Sequence, residues 1–397
     1  MNPDLQQLQA YPFERLAALK HGVTPADLPH IALSIGEPKH QPPGFVLETL
    51  VNNLDRLSNY PATKGLPELR SAIAHWLNRR FQLGRTPVDA DTQVLPVNGT
   101  REALFAFVQA VTDRRKPRPL IVSPNPFYQI YEGAAFLAGA DIHFLNCDKH
   151  NGYIPDYDAV PEQVWRDCQL LFVCSPGNPT GAVTPVETMK KLIALADKYD
   201  FIIASDECYS ELYFDTPPPG LLEVCNALGR DDFRRCVVFH SLSKRSNLPG
   251  LRSGFVAGDA EVLKPFLLYR TYHGCAMPVT SQLASIAAWQ DEQHVQENRR
   301  LYRQKFDAVL TILAGCLDVA LPEASFYLWP RVQGSDTAFA KALFQAQNVT
   351  TLPGTFIARD TPTGNPGEHH VRLALVAELS ECEAAAQRIK TFVTAGA

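Results

Sequence analysis

Between about residues 90 and 260 the chain repeats one pattern: a short apolar run rich in β-branched residues, followed by a longer helix-like stretch. Runs at 120–122, 169–174, 201–204, 236–239 and 254–257 are, Gln169 aside, apolar at consecutive positions, as strands covered on both faces must be. The pattern predicts a largely parallel sheet wrapped by helices, an α/β fold. Four of the five runs end in polar residues: Ser123-Pro124-Asn125, Ser175-Pro176-Gly177-Asn178, Ser205-Asp206-Glu207 and His240-Ser241-Leu242-Ser243-Lys244. In an open α/β sheet, ligands bind beyond the carboxyl ends of the strands, where such loops converge. One site assembled from four loops is the expectation.

A chain of 397 residues exceeds one ordinary core and predicts two cooperating domains. From about residue 280 the character changes to helical stretches at 281–290 and 297–314 and a strand candidate at 325–329, a second domain. No repeat or long low-complexity tract intervenes, although Pro217-Pro218-Pro219-Gly220 marks an exposed turn. With 46% hydrophobic and 20% charged residues, and 37 Lys plus Arg against 42 Asp plus Glu, neither disorder, a membrane span nor a nucleic-acid-binding face is expected. The N-terminus carries Asp4 and Glu14 and lacks the basic start and apolar run of a secretion signal, so a cytoplasmic location is the default. Nine cysteines, odd in number and without a C-x-x-C pair, suit reduced and packed thiols. The histidines lack ligand spacing, so no metal is expected.

Five segments carry chemistry. In Ser241-Leu242-Ser243-Lys244-Arg245-Ser246-Asn247-Leu248-Pro249-Gly250-Leu251-Arg252 a lysine follows a buried strand. There, desolvation and a neighbouring cation lower an amine's pKa and free its lone pair for attack. The small hydroxyls and Arg252 suit a phosphate, or else the segment is an ordinary solvated loop. Asp206 is either a carboxylate facing a ring nitrogen or a helix N-cap, and the Ser-Pro-Gly-Asn-Pro-Thr-Gly run over 175–181 is either a ligand loop or a turn. Asn98-Gly99-Thr100-Arg101 precedes a helix-like stretch at 102–111. A helix start offers free backbone N–H groups and a positive dipole end, and glycine lets the backbone approach an anion; a plain cap is the alternative. Arg372, in His369-His370-Val371-Arg372-Leu373-Ala374-Leu375, has apolar neighbours, and a guanidinium can grip a carboxylate with two parallel hydrogen bonds. Dinucleotide and P-loop motifs are absent.

Together these segments resemble the class I and II aminotransferases, fold-type I enzymes that use pyridoxal 5'-phosphate (PLP), over about residues 30–380. The resemblance implies a large domain at 45–280 with a mostly parallel sheet flanked by helices, a smaller α+β domain at 281–397, and an N-terminal arm at 1–44 that contributes to the smaller domain. It implies Lys244 as the amine that carries the cofactor, Asp206 at the pyridine nitrogen, and Tyr209 with Asn178 at the ring hydroxyl. The phosphate falls to Gly99, Thr100, Arg101, Ser241, Ser243 and Arg252, and Tyr128 stacks on the ring. The substrate α-carboxylate falls to Arg372, with Gly36 and Asn178. Tyr60 matches a tyrosine that reaches the phosphate of the neighbouring subunit, which implies a homodimer with shared active sites. Ser253 stands where the family more often has an apolar residue, a departure that bears on packing beside Arg252.

Pro12-Phe13-Glu14-Arg15-Leu16, Ser34-Ile35-Gly36-Glu37-Pro38-Lys39-His40, residues 59–70 and residues 125–133 are similar to the bacterial N-succinyldiaminopimelate aminotransferases of lysine and diaminopimelate biosynthesis, which use glutamate and 2-oxoglutarate as the nitrogen pair. Such multiply acidic amino and keto acids imply cations beyond Arg372, and Lys39, His40 and Arg270 are the candidates, Arg270 lying near where related aminotransferases place a distal-carboxylate arginine from the partner subunit. The same scaffold also serves other aminotransferases of aspartate, aromatic or alanine type, β-lyases, and the ligand-sensing module of regulators, the last with an added basic DNA-binding module.

Overall fold

Seven strands, in the order Val94–Val97, Gly254–Gly258, Cys236–Ser241, Ile202–Asp206, Cys168–Cys174, Leu120–Asn125 and Asp141–Asn146, make the central sheet of a computed structural model that describes residues 1–85 and 87–396. Six run parallel, and Gly254–Gly258 runs antiparallel to both its neighbours. Successive residues feed opposite cores. Leu170, Ala204 and Val237 pack with Phe107 on one face, while Leu171, Ile203 and Val238 pack with Trp76 on the other. Burial on both faces is why these strands are unbroken apolar runs instead of alternating ones.

All five strands expected from the apolar runs form, and three extend past them to end on Asn125, Asp206 and Ser241. Polar residues thus become part of the sheet's carboxyl edge. The two further strands, Val94–Val97 and Asp141–Asn146, are its outer edges. Pro96 interrupts the first in sequence, and the second leaves Asp141 exposed, so neither has the signature of a central strand.

The helix Val279–Gln290 packs on this body, with Ala284, Ala288 and Trp289 joining the core around Trp76. We therefore place the division between domains after Gln290 and not at 280. Beyond it, the helices Gln293–Leu313, Asp336–Gln347 and Leu379–Thr394 accompany an antiparallel sheet of Leu352–Pro353, Val371–Ala374 and Tyr327–Leu328. The N-terminal arm is knitted into this smaller unit. Ile31–Ala32 pairs parallel with Val349–Thr350, Ala374 N donates to Leu33 O at 2.7 Å, and Ile31 and Leu33 share its core. No helix among the described residues is long and apolar enough to cross a membrane. All nine cysteines are unpaired and six are buried; of the other three, Cys174 and Cys208 line the cleft described next.

Candidate active site

The carboxyl ends of the central strands, the N-terminal arm and the small-domain sheet enclose a cleft of about 450 Å³. Lys244 enters it from the short helix Leu242–Arg245, directly after the strand Cys236–Ser241. Its Nζ donates to Gly36 O at 2.5 Å and lies 5.1 Å from the ring centre of Phe326. Burial, reinforced by the nearby guanidinium groups of Arg372 and Arg252 against the opposing pull of Cys208 and Glu37, brings this amine down to about 8. Asp206 ends its strand in the same cleft, only 6% exposed. Its Oδ2 accepts from Tyr131 Oη at 2.7 Å and its Oδ1 from Cys208 N at 3.2 Å. Tyr131 lies stacked on Phe172 at 4.1 Å, so the phenol holding Asp206 is itself fixed by the core.

On the small-domain wall, Arg372 projects from the strand Val371–Ala374. Its Nη2 donates to Ser34 O at 2.8 Å, its Nη1 to Asn178 Oδ1 at 3.1 Å, and its guanidinium covers the Tyr327 ring at 4.4 Å. Tyr327 Oη in turn lies 3.1 Å from Tyr209 Oη. Burial raises the Tyr209 phenol well above its ordinary range, so it stays protonated. Gly36 is obligatory here, because a Cβ would stand 1.9 Å from Tyr327 Oη.

The opposite end of the cleft forms an anion socket. The helix Thr100–Val111 begins without a side-chain cap, leaving its first N–H groups free for a ligand. Gly99 has φ +106°, and a Cβ on it would meet Arg252 Nη2 at 2.2 Å. Ser241 Oγ accepts from Ser243 N at 3.1 Å, and Arg252 pairs with Glu102 at 2.7 Å. An amine, a carboxylate and this socket of hydroxyl, guanidinium and uncapped helix line one cavity, so the residues present fit PLP. Arg101 departs from the expected pattern in that its guanidinium is tied to phenols: Nε donates to Tyr128 Oη at 2.7 Å and Nη2 to Tyr11 Oη at 3.2 Å.

Four expected positions lie elsewhere in this chain. Tyr60 is fully exposed and outside the cleft, as a side chain directed at another subunit would be. Lys39 is exposed and lines a separate cavity with Leu47 and Leu248. Arg270, the candidate for a partner's site, is 1% exposed and donates to Cys275 O at 3.0 Å. A guanidinium enclosed by its own subunit cannot reach a neighbour, so Arg270 is corrected to a structural residue. His40 is likewise withdrawn from the substrate cations, since both its ring nitrogens are engaged internally.

Sequence reasoning missed Tyr327, Tyr131, Tyr11 and Glu37 as lining or supporting groups. Tyr131 follows Tyr128 by three positions, the spacing that brings helical neighbours together, and was open to recognition. Tyr327 and Glu37 reach the cleft only through tertiary packing, which no local pattern signals.

Solved structures with the same architecture include an aminotransferase from Neisseria meningitidis, 54% identical with TM-score 0.95 over 98% of this chain and 99% of that one. A Thermus thermophilus protein described as a "probable N-succinyldiaminopimelate aminotransferase" is 28% identical, TM-score 0.82, over 96% and 100%. An LL-diaminopimelate aminotransferase of Nitratidesulfovibrio vulgaris is 32% identical over 97% of both chains. The family description "Aminotransferase class I and II" matches residues 29–389, a span that takes in Lys244, Asp206, Asn178 and Arg372, while Tyr11, Pro12 and Phe13 line the cleft from outside it. The chain belongs to the class I and II aminotransferases and is a PLP-dependent transaminase.

Proposed function

We propose that this transaminase acts on a diaminopimelate skeleton, specifically N-succinyl-LL-2,6-diaminopimelate with 2-oxoglutarate as nitrogen acceptor, in lysine and diaminopimelate biosynthesis. The observation that carries this reading is Arg101, a cation in the cleft held by the Tyr128 and Tyr11 hydroxyls and, among the described residues, by no carboxylate. A guanidinium poised on neutral phenols retains its charge for a carboxylate at the far end of a long substrate. The diaminopimelate names of relatives at 32% and 28% identity support the same skeleton.

In this reading Lys244 would hold the cofactor, and its free amine would take the proton from the substrate α-carbon as general base and give it up as general acid to the cofactor carbon that receives the amino nitrogen. Bound PLP supplies an electron-accepting ring that stabilises charge developing at that carbon. Arg372 grips the α-carboxylate and fixes which bond faces the amine. Asp206, oriented by Tyr131, keeps the ring nitrogen protonated. Tyr209 and Asn178 hold the ring oxygen, and Gly99, Thr100, Ser241, Ser243 and Arg252 hold the phosphate. Tyr128 limits tilt of the ring.

Glu37 lines the same cleft and would favour a free distal amine, the second reading, in which the unacylated LL-diaminopimelate is the donor. Purified enzyme supplied with 2-oxoglutarate and, in turn, succinylated LL-diaminopimelate, LL-diaminopimelate, aspartate and alanine separates these. The expected result is the highest kcat/KM with the succinylated donor; equal or better transfer from aspartate or alanine would reject the diaminopimelate assignment. Arg101→Met should lower kcat/KM for the long acidic donor about 30-fold and leave alanine unchanged. Lys244→Ala should abolish turnover and the absorbance of attached cofactor.

A further inference from the structure

His40, expected among the substrate cations, is instead the middle of a hydrogen-bonded chain. Its ring is 8% exposed and packs against Tyr302 at 4.6 Å. Nε2 lies 2.6 Å from the amine of Lys305, which is itself 2% exposed and also donates to Val376 O at 3.3 Å. Nδ1 lies 2.7 Å from Asn298 Oδ1. Burial lowers the imidazole pKa, so the ring is neutral and has one donor and one acceptor. With the lysine amine donating to Nε2, the proton belongs on Nδ1, directed at the Asn298 carbonyl. Asn298 Oδ1 also accepts from Asn247 at 3.0 Å, so its amide group must face the other way. There it donates to the main-chain carbonyls of Lys244 at 3.3 Å and Arg245 at 3.4 Å. Every donor in the chain points from Lys305 toward Lys244.

The other end of the same arm segment meets Lys244 directly, where Gly36 O accepts from Nζ. Residues 36–40 therefore hold the lysine by its side chain at one end and, through Asn298, by its backbone at the other. We propose that Lys305, His40 and Asn298 form a positioning relay that fixes the turn carrying Lys244 and couples the aim of its amine to the seating of the N-terminal arm. The functional part of this inference rests on the proposed role of Lys244 as cofactor carrier and proton mover. None of the three relay residues touches the cleft.

The test compares Asn298→Leu, Lys305→Met and Lys305→Gln, the last retaining a donor for His40. In cofactor-free protein, Ser246 N and Leu248 N both donate to Leu242 O, so hydrogen exchange of a peptide over residues 242–251 reports the turn. Asn298→Leu and Lys305→Met should exchange there about tenfold faster while the central strands keep their protection. In the loaded enzyme kcat should fall about tenfold with donor KM unchanged, and Lys305→Gln should recover most of both effects. Wild-type exchange in the turn, acceleration spread equally through the sheet, or unchanged kcat despite a loosened turn would each overturn the relay. Full turnover by Lys244→Ala would instead reject the role of Lys244 while leaving the exchange result intact.

Discussion

Burial of the Lys244 amine, with two guanidinium groups beside it, moves its charge change from about 10.5 to about 8. The sign has two consequences. The neutral, nucleophilic form is available two to three pH units lower than in an ordinary lysine, so PLP should attach to cofactor-free protein about tenfold faster per pH unit up to about 8 and then level off. Stopped-flow absorbance would show it; acceleration continuing toward 10.5 would mark a solvated amine. Between pH 8 and 10.5 the unfolded chain binds more protons at this position than the folded one, so stability gains with rising pH through that window. Urea unfolding of cofactor-free wild type should therefore improve with pH relative to Lys244→Met, whose penalty is absent throughout. Gly36 imposes a different limit, since a methyl group there would overlap the Tyr327 hydroxyl. Gly36→Ala should reduce kcat/KM about tenfold or more by displacing the arm from Lys244 and Arg372, and Tyr327→Phe should not relieve it, because the ring carbons Cζ and Cε1 would still stand 2.7 and 2.9 Å from the added Cβ.

At the scale of elements, the loop that carries Tyr128 is clamped between domains. Phe127 N donates to Ile357 O at 3.1 Å, Asn125 exchanges hydrogen bonds with the backbone of Arg359, and the Arg359 guanidinium meets both oxygens of buried Glu132 at 2.8 and 2.6 Å. Removing one partner strands the other charge. Arg359→Met should lose about 3 kcal/mol in urea unfolding, and the double variant Glu132→Leu with Arg359→Met should recover much of it. The clamp is illegible in sequence because its two halves stand 227 positions apart. What was legible follows physical necessity: strands buried on both faces must be continuously apolar, and ligand groups must gather at their carboxyl ends, so Lys244, Asp206 and Asn178 stood out next to such runs. Val94–Val97 did not, since Pro96 breaks its run although all four residues are buried, and Asp141–Asn146 did not, since this edge strand is only partly covered. Lys39 and Arg270 misled for the same reason that Tyr327 was overlooked: nothing local in a sequence tells which way a side chain faces once two domains close on each other.

The whole molecule leaves one assigned residue without work inside its own cleft. Tyr60 is fully exposed at the end of a segment that also exposes Val51, Leu54 and Leu57. We propose that a second copy of this chain covers these apolar side chains and receives Tyr60 at its own phosphate socket. A shared site of this kind makes a prediction that no monomer can meet. Lys244→Ala lacks the amine in every subunit, and Tyr60→Ala lacks the tyrosine donated across the interface, so each variant alone should be severely impaired. Mixed and allowed to exchange subunits, half of the resulting dimers contain one of each, and every such dimer has one site with both the amine and the tyrosine. Activity should therefore rise from near zero to about 25% of the wild-type rate at equal mixing. Sedimentation should show a dimer throughout. Recovery that stays at the sum of the separate variants, with subunit exchange verified by a mass tag, would mean that Tyr60 serves no site beyond its own chain.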